Sequence, residues 1–293
     1  MSRKALWLFL AVGLAWGVPY FFIRLAIGQD GHGFSAATIV FSRVVIGAAV
    51  LLPIAIRQGA MKAVWRHWPW VLGFALIEMA GPWLLITTAE KHVTSGLAGL
   101  MIATVPFFAI PLAYFLGDKS VLHKKTIFGL VVGFLGVVLL VGIDTLAGHI
   151  DLLWVGALIL SAIGYAIAPM MADVKLREVP TAGVMGTSMA IVAAIYAIPA
   201  GLQVPVDLAS NPPASAWWAL LGLGVICSAL AFVLFFALVK HIGGARATLI
   251  TYVNTAVALV LGVIFLGEPI TAGMLVGFPM VVIGSYFASR RHA

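Results

Sequence analysis

Apolar residues run along this chain in blocks of about 18 to 25, the length that crosses a bilayer as a helix, separated by short polar gaps from one terminus to the other. The pattern predicts helices over 5–27, 35–56, 69–89, 93–116, 126–143, 152–172, 182–202, 216–239, 245–266 and 270–288. The longest gap, Gln203 to Ser215, holds thirteen residues with Pro205, Pro212 and Pro213, too few for a soluble domain. The expectation is an all-α membrane protein of ten transmembrane helices.

Basic residues near spans are retained on the cytoplasmic side. With the N-terminus inside, the cytoplasmic segments hold Arg3, Lys4, Arg57, Lys62, Arg66, Lys119, Lys124, Lys125, Lys175, Arg177, Lys240, Arg246, Arg290 and Arg291, whereas the outer loops hold Lys91 alone. One helix more or fewer in mid-chain inverts every later loop and erases this asymmetry. The asymmetry therefore predicts ten spans with both termini cytoplasmic.

The two halves also echo each other. Lys91-His92-Val93 recurs as Lys240-His241-Ile242, and Leu116-Gly117-Asp118 as Leu266-Gly267-Glu268. The stretch from Gly129 matches the stretch from Gly273 at six of eleven positions, and Leu6-Trp7 with Gly17 echoes Leu153-Trp154 with Gly164. The order and near-constant offset predict two five-helix repeats, 5–143 and 152–288. An odd number of helices per repeat makes the second copy enter from the opposite side, so the repeats are inverted. Such repeats place a substrate site near the midplane between them and give alternating access by rocking.

Composition agrees with lipid as the solvent: 63% of the 293 residues are hydrophobic and 9% charged, against about half and about a quarter in soluble domains. The net charge of +7 reflects membrane orientation, because the basic residues sit in gaps between apolar blocks and form no nucleic-acid patch. The first block is about 34 Å long as a helix, too long for a signal-peptide core, with no small-residue cleavage site after it. The single cysteine, Cys227, excludes an internal disulfide and a cysteine-cluster metal site. No cofactor is called for.

Trp16-Gly17, Pro106, the Leu-Gly-acid ends and the Gly-rich fifth and tenth spans together resemble the EamA family of the drug/metabolite transporter superfamily over essentially the full length. The resemblance implies a bacterial inner-membrane exporter of amino acids or related metabolites, similar to the aromatic amino-acid exporter branch. Two positions depart from the family pattern. Ala256 stands where the second repeat usually carries proline, and Val18-Pro19 follows Trp16-Gly17 where asparagine is common.

Mid-membrane ionisable residues are the strongest functional pointers, since a buried charge is costly unless paired or hydrated. Arg43 lies ~12 Å below the outer end of its helix and Glu78 ~13 Å above the inner end of its own, so their depths match and neighbouring helices can pair them. One reading is a structural ion pair or charges on a wet cavity. The other gives Glu78 a substrate ammonium or a coupling proton and Arg43 a carboxylate. Repeat alignment puts Met189 opposite Arg43 and Cys227 opposite Glu78, so the pair belongs to one half only.

Trp16, Tyr20 and Arg24 form a stripe on helix 1. Trp16 is too deep for the interfacial belt and either packs against a neighbour or lines the cavity, which Pro19, freeing a backbone carbonyl, favours. Pro82 follows Glu78 by one turn. Gly96, Gly99 and Ala103 read as close packing, while Met101, Val105 and Phe108 occupy a face that can line the pocket. Tyr165, Tyr252 and Asn254 complete the candidates, and the fifth and tenth helices, without charged or amide side chains between their ends, read as peripheral supports.

An intramembrane enzyme lacks its residues here, because all seven histidines lie in loops or near helix ends and no HExxH or paired carboxylates fall within the spans. A channel lacks a filter-like loop or charged ring. A nucleotide-sugar carrier needs several buried cations, and a cationic-drug exporter needs Glu78 alone; a zwitterion fits one acid and one base. The partners expected are a small-molecule substrate and the bilayer, with the chain acting as a monomer or homodimer.

Overall fold

A computed structural model describes residues 3–28, 32–117, 123–146, 151–242 and 250–289. The elements are α1 (Arg3–Gly17), α2 (Pro19–Ile27), α3 (Ala36–Arg57), α4 (Met61–Arg66), α5 (Trp68–Phe74), a π-helical turn π1 (Ala75–Ala80), α6 (Gly81–Ala89), α7 (Ser95–Ile102), α8 (Val105–Phe115) and α9 (Lys124–Leu146). They continue with α10 (Leu152–Lys175), α11 (Thr181–Ala209), α12 (Ala214–Gly224), a second π turn π2 (Val225–Leu230), α13 (Ala231–Ile242), α14 (Ile250–Leu266) and α15 (Ala272–Ser289). The described residues contain no strand.

Among them, seven helical stretches are long and apolar enough to cross a membrane: Arg3–Ile27, Ala36–Arg57, Trp68–Ala89, Ser95–Phe115, Leu152–Lys175, Thr181–Ala209 and Ala214–Phe235. Shorter apolar helices cover Val253–Leu266 and Ala272–Gly284. The block expected at 126–143 lies on α9, and the first residues of the one expected at 245–266 fall outside the described residues.

Prolines set the breaks. Pro19, with no N–H to donate, divides α1 from α2 at Val18, and Pro106 opens α8 after the turn at Ala103–Thr104. One expectation fails here: the gap Gln203 to Ser215 is largely helix, because α11 runs through Pro205 to Ala209. Buried Asp207 fixes this last turn by accepting hydrogen bonds from Ser35 Oγ (3.0 Å) and Thr38 Oγ1 (2.5 Å). That anchorage is invisible in a local reading of proline content.

Two helices per half interlock across the molecule: α3 packs on α11 and on π2, while α11 packs on π1. α1 packs on α13 and α14, and α10 on α6, α7 and α8. α9 pairs with α15 through glycines that no larger residue fits, since a Cβ on Gly136 would stand 2.7 Å from Met280 Cβ and one on Gly277 2.5 Å from Leu140 Cβ.

The bundle has two distinct ends. At one, the Glu90 end, Arg24 Nη1 donates to Glu90 O (2.5 Å), Ser210 Oγ to Gly33 O (3.4 Å) and Ser95 Oγ to Glu268 (3.0 Å), Phe34 stacks edge-on to Trp217, and His92 lies flat on Trp154 at 4.0 Å. At the other, basic end, Gly183 sits against Ala60 and Val64, and Lys175 Nζ lies 5.0 Å above the Trp70 ring.

Candidate functional site

Arg43 sits inside the 22-residue helix α3 and is buried. Its Nε donates to Ser228 Oγ of π2 (2.9 Å), and its guanidinium carbon lies 3.7 Å from the ring centroid of Trp83 on α6. A desolvated cation over an indole gains about 2 kcal/mol or more. The two terminal nitrogens, the pair that grips a carboxylate side by side, bond no described residue. Tyr20, Tyr165 and Cys227 lie within electrostatic reach.

Glu78 is carried by π1. A π turn takes one extra residue, and each residue added to a helix rotates the residues beyond it by about 100°. Pro82 explains the turn locally: it has no N–H for the carbonyl four residues back, and the Gly81 N–H bonds Leu76 O, five residues back. Tyr196 Oη of α11 donates to Ala80 O (2.9 Å), and Ser161 Oγ of α10 donates to Pro82 O (3.4 Å). Gly164 brings α10 directly onto this turn, since a Cβ there would stand 2.6 Å from Ile77 O and 3.1 Å from Pro82 Cγ. The adjacent Tyr165 is thereby set against Trp83 and within electrostatic reach of Glu78 and Arg43.

The expected ion pair between Arg43 and Glu78 does not form. Arg43 bonds Ser228 and Trp83, while Glu78 Oε2 is buried with no hydrogen-bonding partner among the described residues. The reason is the π turn, which shifts Glu78 off the face that an α-helical count shares with Pro82 and brings Trp83 to Arg43. π1 and π2 lie 150 residues apart (75 against 225), an offset at which Glu78 falls in register with Ser228, one residue from Cys227. Ser228 accepts from Arg43 and donates to Leu223 O (2.9 Å) five residues back. Arg43 and the inner carboxylate oxygen of Glu78 are thus buried without pairing, and Tyr165 lies within electrostatic reach of both.

Of the candidates read from sequence, Tyr20, Arg43, Glu78, Pro82 and Tyr165 come together. Trp16 packs instead against Phe232 (5.3 Å, edge-on) and Phe235 (4.8 Å). Pro19 is buried at the break in the first span, Met101 is fully buried in the core, and Val105 packs against that core. Asn254, with its amide oriented to donate, bridges Gly13 O (2.8 Å) and Ile250 O (3.1 Å), joining α1 to α14. The Tyr252 side chain lies outside the described residues. Trp83, Ser228 and Tyr196 were missed. Only Ser228 left a signal, the offset of 150 that the Leu-Gly-acid ends also obey.

The profile of the EamA-like transporter family matches residues 3–142 and again 152–290. A "probable terminal-alkyne amino-acid exporter" of Streptantibioticus cattleyicolor is 25% identical over 292 residues, 98% of this chain and 94% of that protein. The inner membrane transporter YedA of Escherichia coli is 26% identical over 267 residues, 89% of this chain and 82% of that one. One crystal structure, at 20% identity, superposes with a TM-score of 0.66 over 98% of this chain and 97% of its own, a likeness of fold.

Proposed function

Because the chain belongs to the EamA-like transporter family, we propose that it exports zwitterionic amino acids or closely related metabolites across the inner membrane by alternating access. It is a transporter and not an enzyme, as its family is. In this reading ten helices form two inverted five-helix repeats, 5–143 and 152–288, with both termini cytoplasmic and the Glu90 end outside. The double match of the family profile, the paired π turns and the Lys/Arg distribution support it. Rocking about the interior of the bundle then exposes the Arg43 region to each side in turn.

The observation that carries the substrate class is the unpaired state of Arg43 and Glu78. A substrate carboxylate meets the Arg43 terminal nitrogens and its ammonium meets Glu78, with Tyr165 between and Trp83 and Tyr20 as apolar wall. An amino acid with an unsaturated apolar side chain, the class in the name of the Streptantibioticus relative, suits such a wall.

Counterflow in liposomes tests the reading. A neutral amino acid is expected to give saturable counterflow, and analogues lacking the carboxylate or the ammonium are expected to compete at least about tenfold more weakly, since a charge-assisted hydrogen bond contributes about 1.5–3 kcal/mol. Equal competition by the decarboxylated amine would turn the assignment to organic cations, and ohmic current would make the protein a channel.

A further inference from the structure

The Glu90 end holds an acidic pair that the substrate reading does not use. Glu90 caps α6, its N–H bonded to Ile86 O and Thr88 O and its own carbonyl accepting from Arg24. Its side chain is 0% exposed, and neither carboxylate oxygen has a hydrogen-bonding partner among the described residues. Glu268, which lies just beyond α14, acts on it through space yet is fully engaged itself: Oε1 accepts from the Ser95 N–H (2.7 Å), and Oε2 from Ser95 Oγ (3.0 Å) and the Gly96 N–H (3.1 Å).

The groups facing Glu90 do not neutralise it. Arg24 of α2 and Arg43 of α3 oppose the Glu268 charge, but Arg24 Nη1 is bonded to the Glu90 carbonyl and Arg43 Nε to Ser228. Tyr20 faces it from α2, and its own turn adds Lys91 and His92, the latter stacked on Trp154 of α10. Burial first, then Glu268, push the Glu90 carboxyl well above the usual carboxylate range. Glu90, unlike the half-buried Glu78, is sealed at both oxygens, so an ionised carboxylate there has neither a donor nor water, and desolvation favours the protonated form.

We propose that Glu90 is a proton-binding site, loaded while this end of the bundle is closed and emptied into water when it opens. Opening converts the carboxylic acid to a carboxylate plus one proton released on that side, and closing takes one proton back from the same side. The site therefore gates without carrying net charge across. The closed form has the raised pKa, so acid favours closure and that advantage is lost as pH rises through the closed-state value. Under the orientation proposed above, the outer pH sets the gate.

The test needs no substrate and stands apart from the zwitterion reading. Infrared spectra of the purified chain at about pH 7 are expected to show the carbonyl band of a protonated carboxyl group that Glu90→Gln abolishes and Glu78→Gln leaves. Ala216→Cys, buried at this end, is expected to react with a thiol reagent at least about tenfold faster at about pH 8 than at about pH 5, relative to the exposed Ala209→Cys, since a tenfold change in population accompanies each pH step of about one. Adding Glu90→Gln is expected to hold the rate low throughout. Absence of a Glu90-dependent band, or unchanged pH dependence with Glu90→Gln, would overturn the proposal. If that variant folds poorly, Glu268→Gln decides: it removes the neighbouring charge and is expected to move the labelling midpoint to lower pH, and an unmoved midpoint rejects the site.

Discussion

Two π turns stand 150 residues apart in the chain, Ala75–Ala80 and Val225–Leu230, and they differ in how their polar side chain is used. In the second, Ser228 is fully satisfied, donating to Leu223 O and accepting from Arg43. In the first, Glu78 keeps a buried oxygen with no partner among the described residues. Each turn is held by a residue of the opposite half, Tyr196 on the Ala80 carbonyl and Arg43 on Ser228. The backbone device is shared, and the charge is not. An unpartnered buried oxygen is costly, and the proposed function gives Glu78 a ligand on that ground, whereas the Ser228 hydroxyl is engaged within the protein.

The comparison breaks most sharply if the second turn is made acidic. Ser228→Asp gives Arg43 the carboxylate it lacks, and export is expected to fall by at least about 100-fold, the equivalent of about 2.8 kcal/mol, without loss of thermal stability. Unchanged transport would remove Arg43 from the binding site. Next in size are the charges themselves. Arg43→Ala and Glu78→Gln are each expected to lower transport by about 10- to 100-fold, as read by initial counterflow rates.

Because the two are not paired, their effects on stability are expected to add within about 0.5 kcal/mol in a double-mutant cycle. A coupling of several kcal/mol, as for a broken buried ion pair, would show that they meet after all. Gly164→Ala is expected to cost about 1–3 kcal/mol, because its Cβ would be forced against Ile77 O; thermal melting checks it. The smallest effect is Tyr196→Phe, about 0.6 kcal/mol for one intramembrane hydrogen bond, and a loss above about 2 kcal/mol would mean that the Ala80 carbonyl organises more than this turn.

Much of the architecture was legible because helices in lipid announce themselves. A run such as Ala36–Arg57 has to satisfy its backbone internally, so its span can be read from length and hydropathy alone. The close packing of α9 on α15 rests on Gly136 and Gly277, which leave room for nothing else. Arg43 and Glu78 stood out because charge at depth is rare. Trp83 did not, because on an α-helical count it sits away from Glu78, and only the π turn brings it over the guanidinium. Trp16 and Asn254 stand out in the sequence by depth and polarity, and the neighbours that engage them, Phe232 and the Gly13 carbonyl, come from helices more than 200 residues away in sequence.

The sequence by itself determined that this chain belongs in a membrane, where most of its apolar helices run and that Arg43 and Glu78 lie within them, since each is set by transfer free energies summed over neighbouring residues. Tertiary structure alone decided whether those charges meet. Partner choice depends on helix rotation, and a single π turn changes that rotation by more than the reach of a hydrogen bond. It also decided that Glu90, which reads as an ordinary loop acid, is sealed beside Glu268 with no donor among the described residues, because burial at a helix end is set by the elements packed over it and leaves no trace in the local pattern.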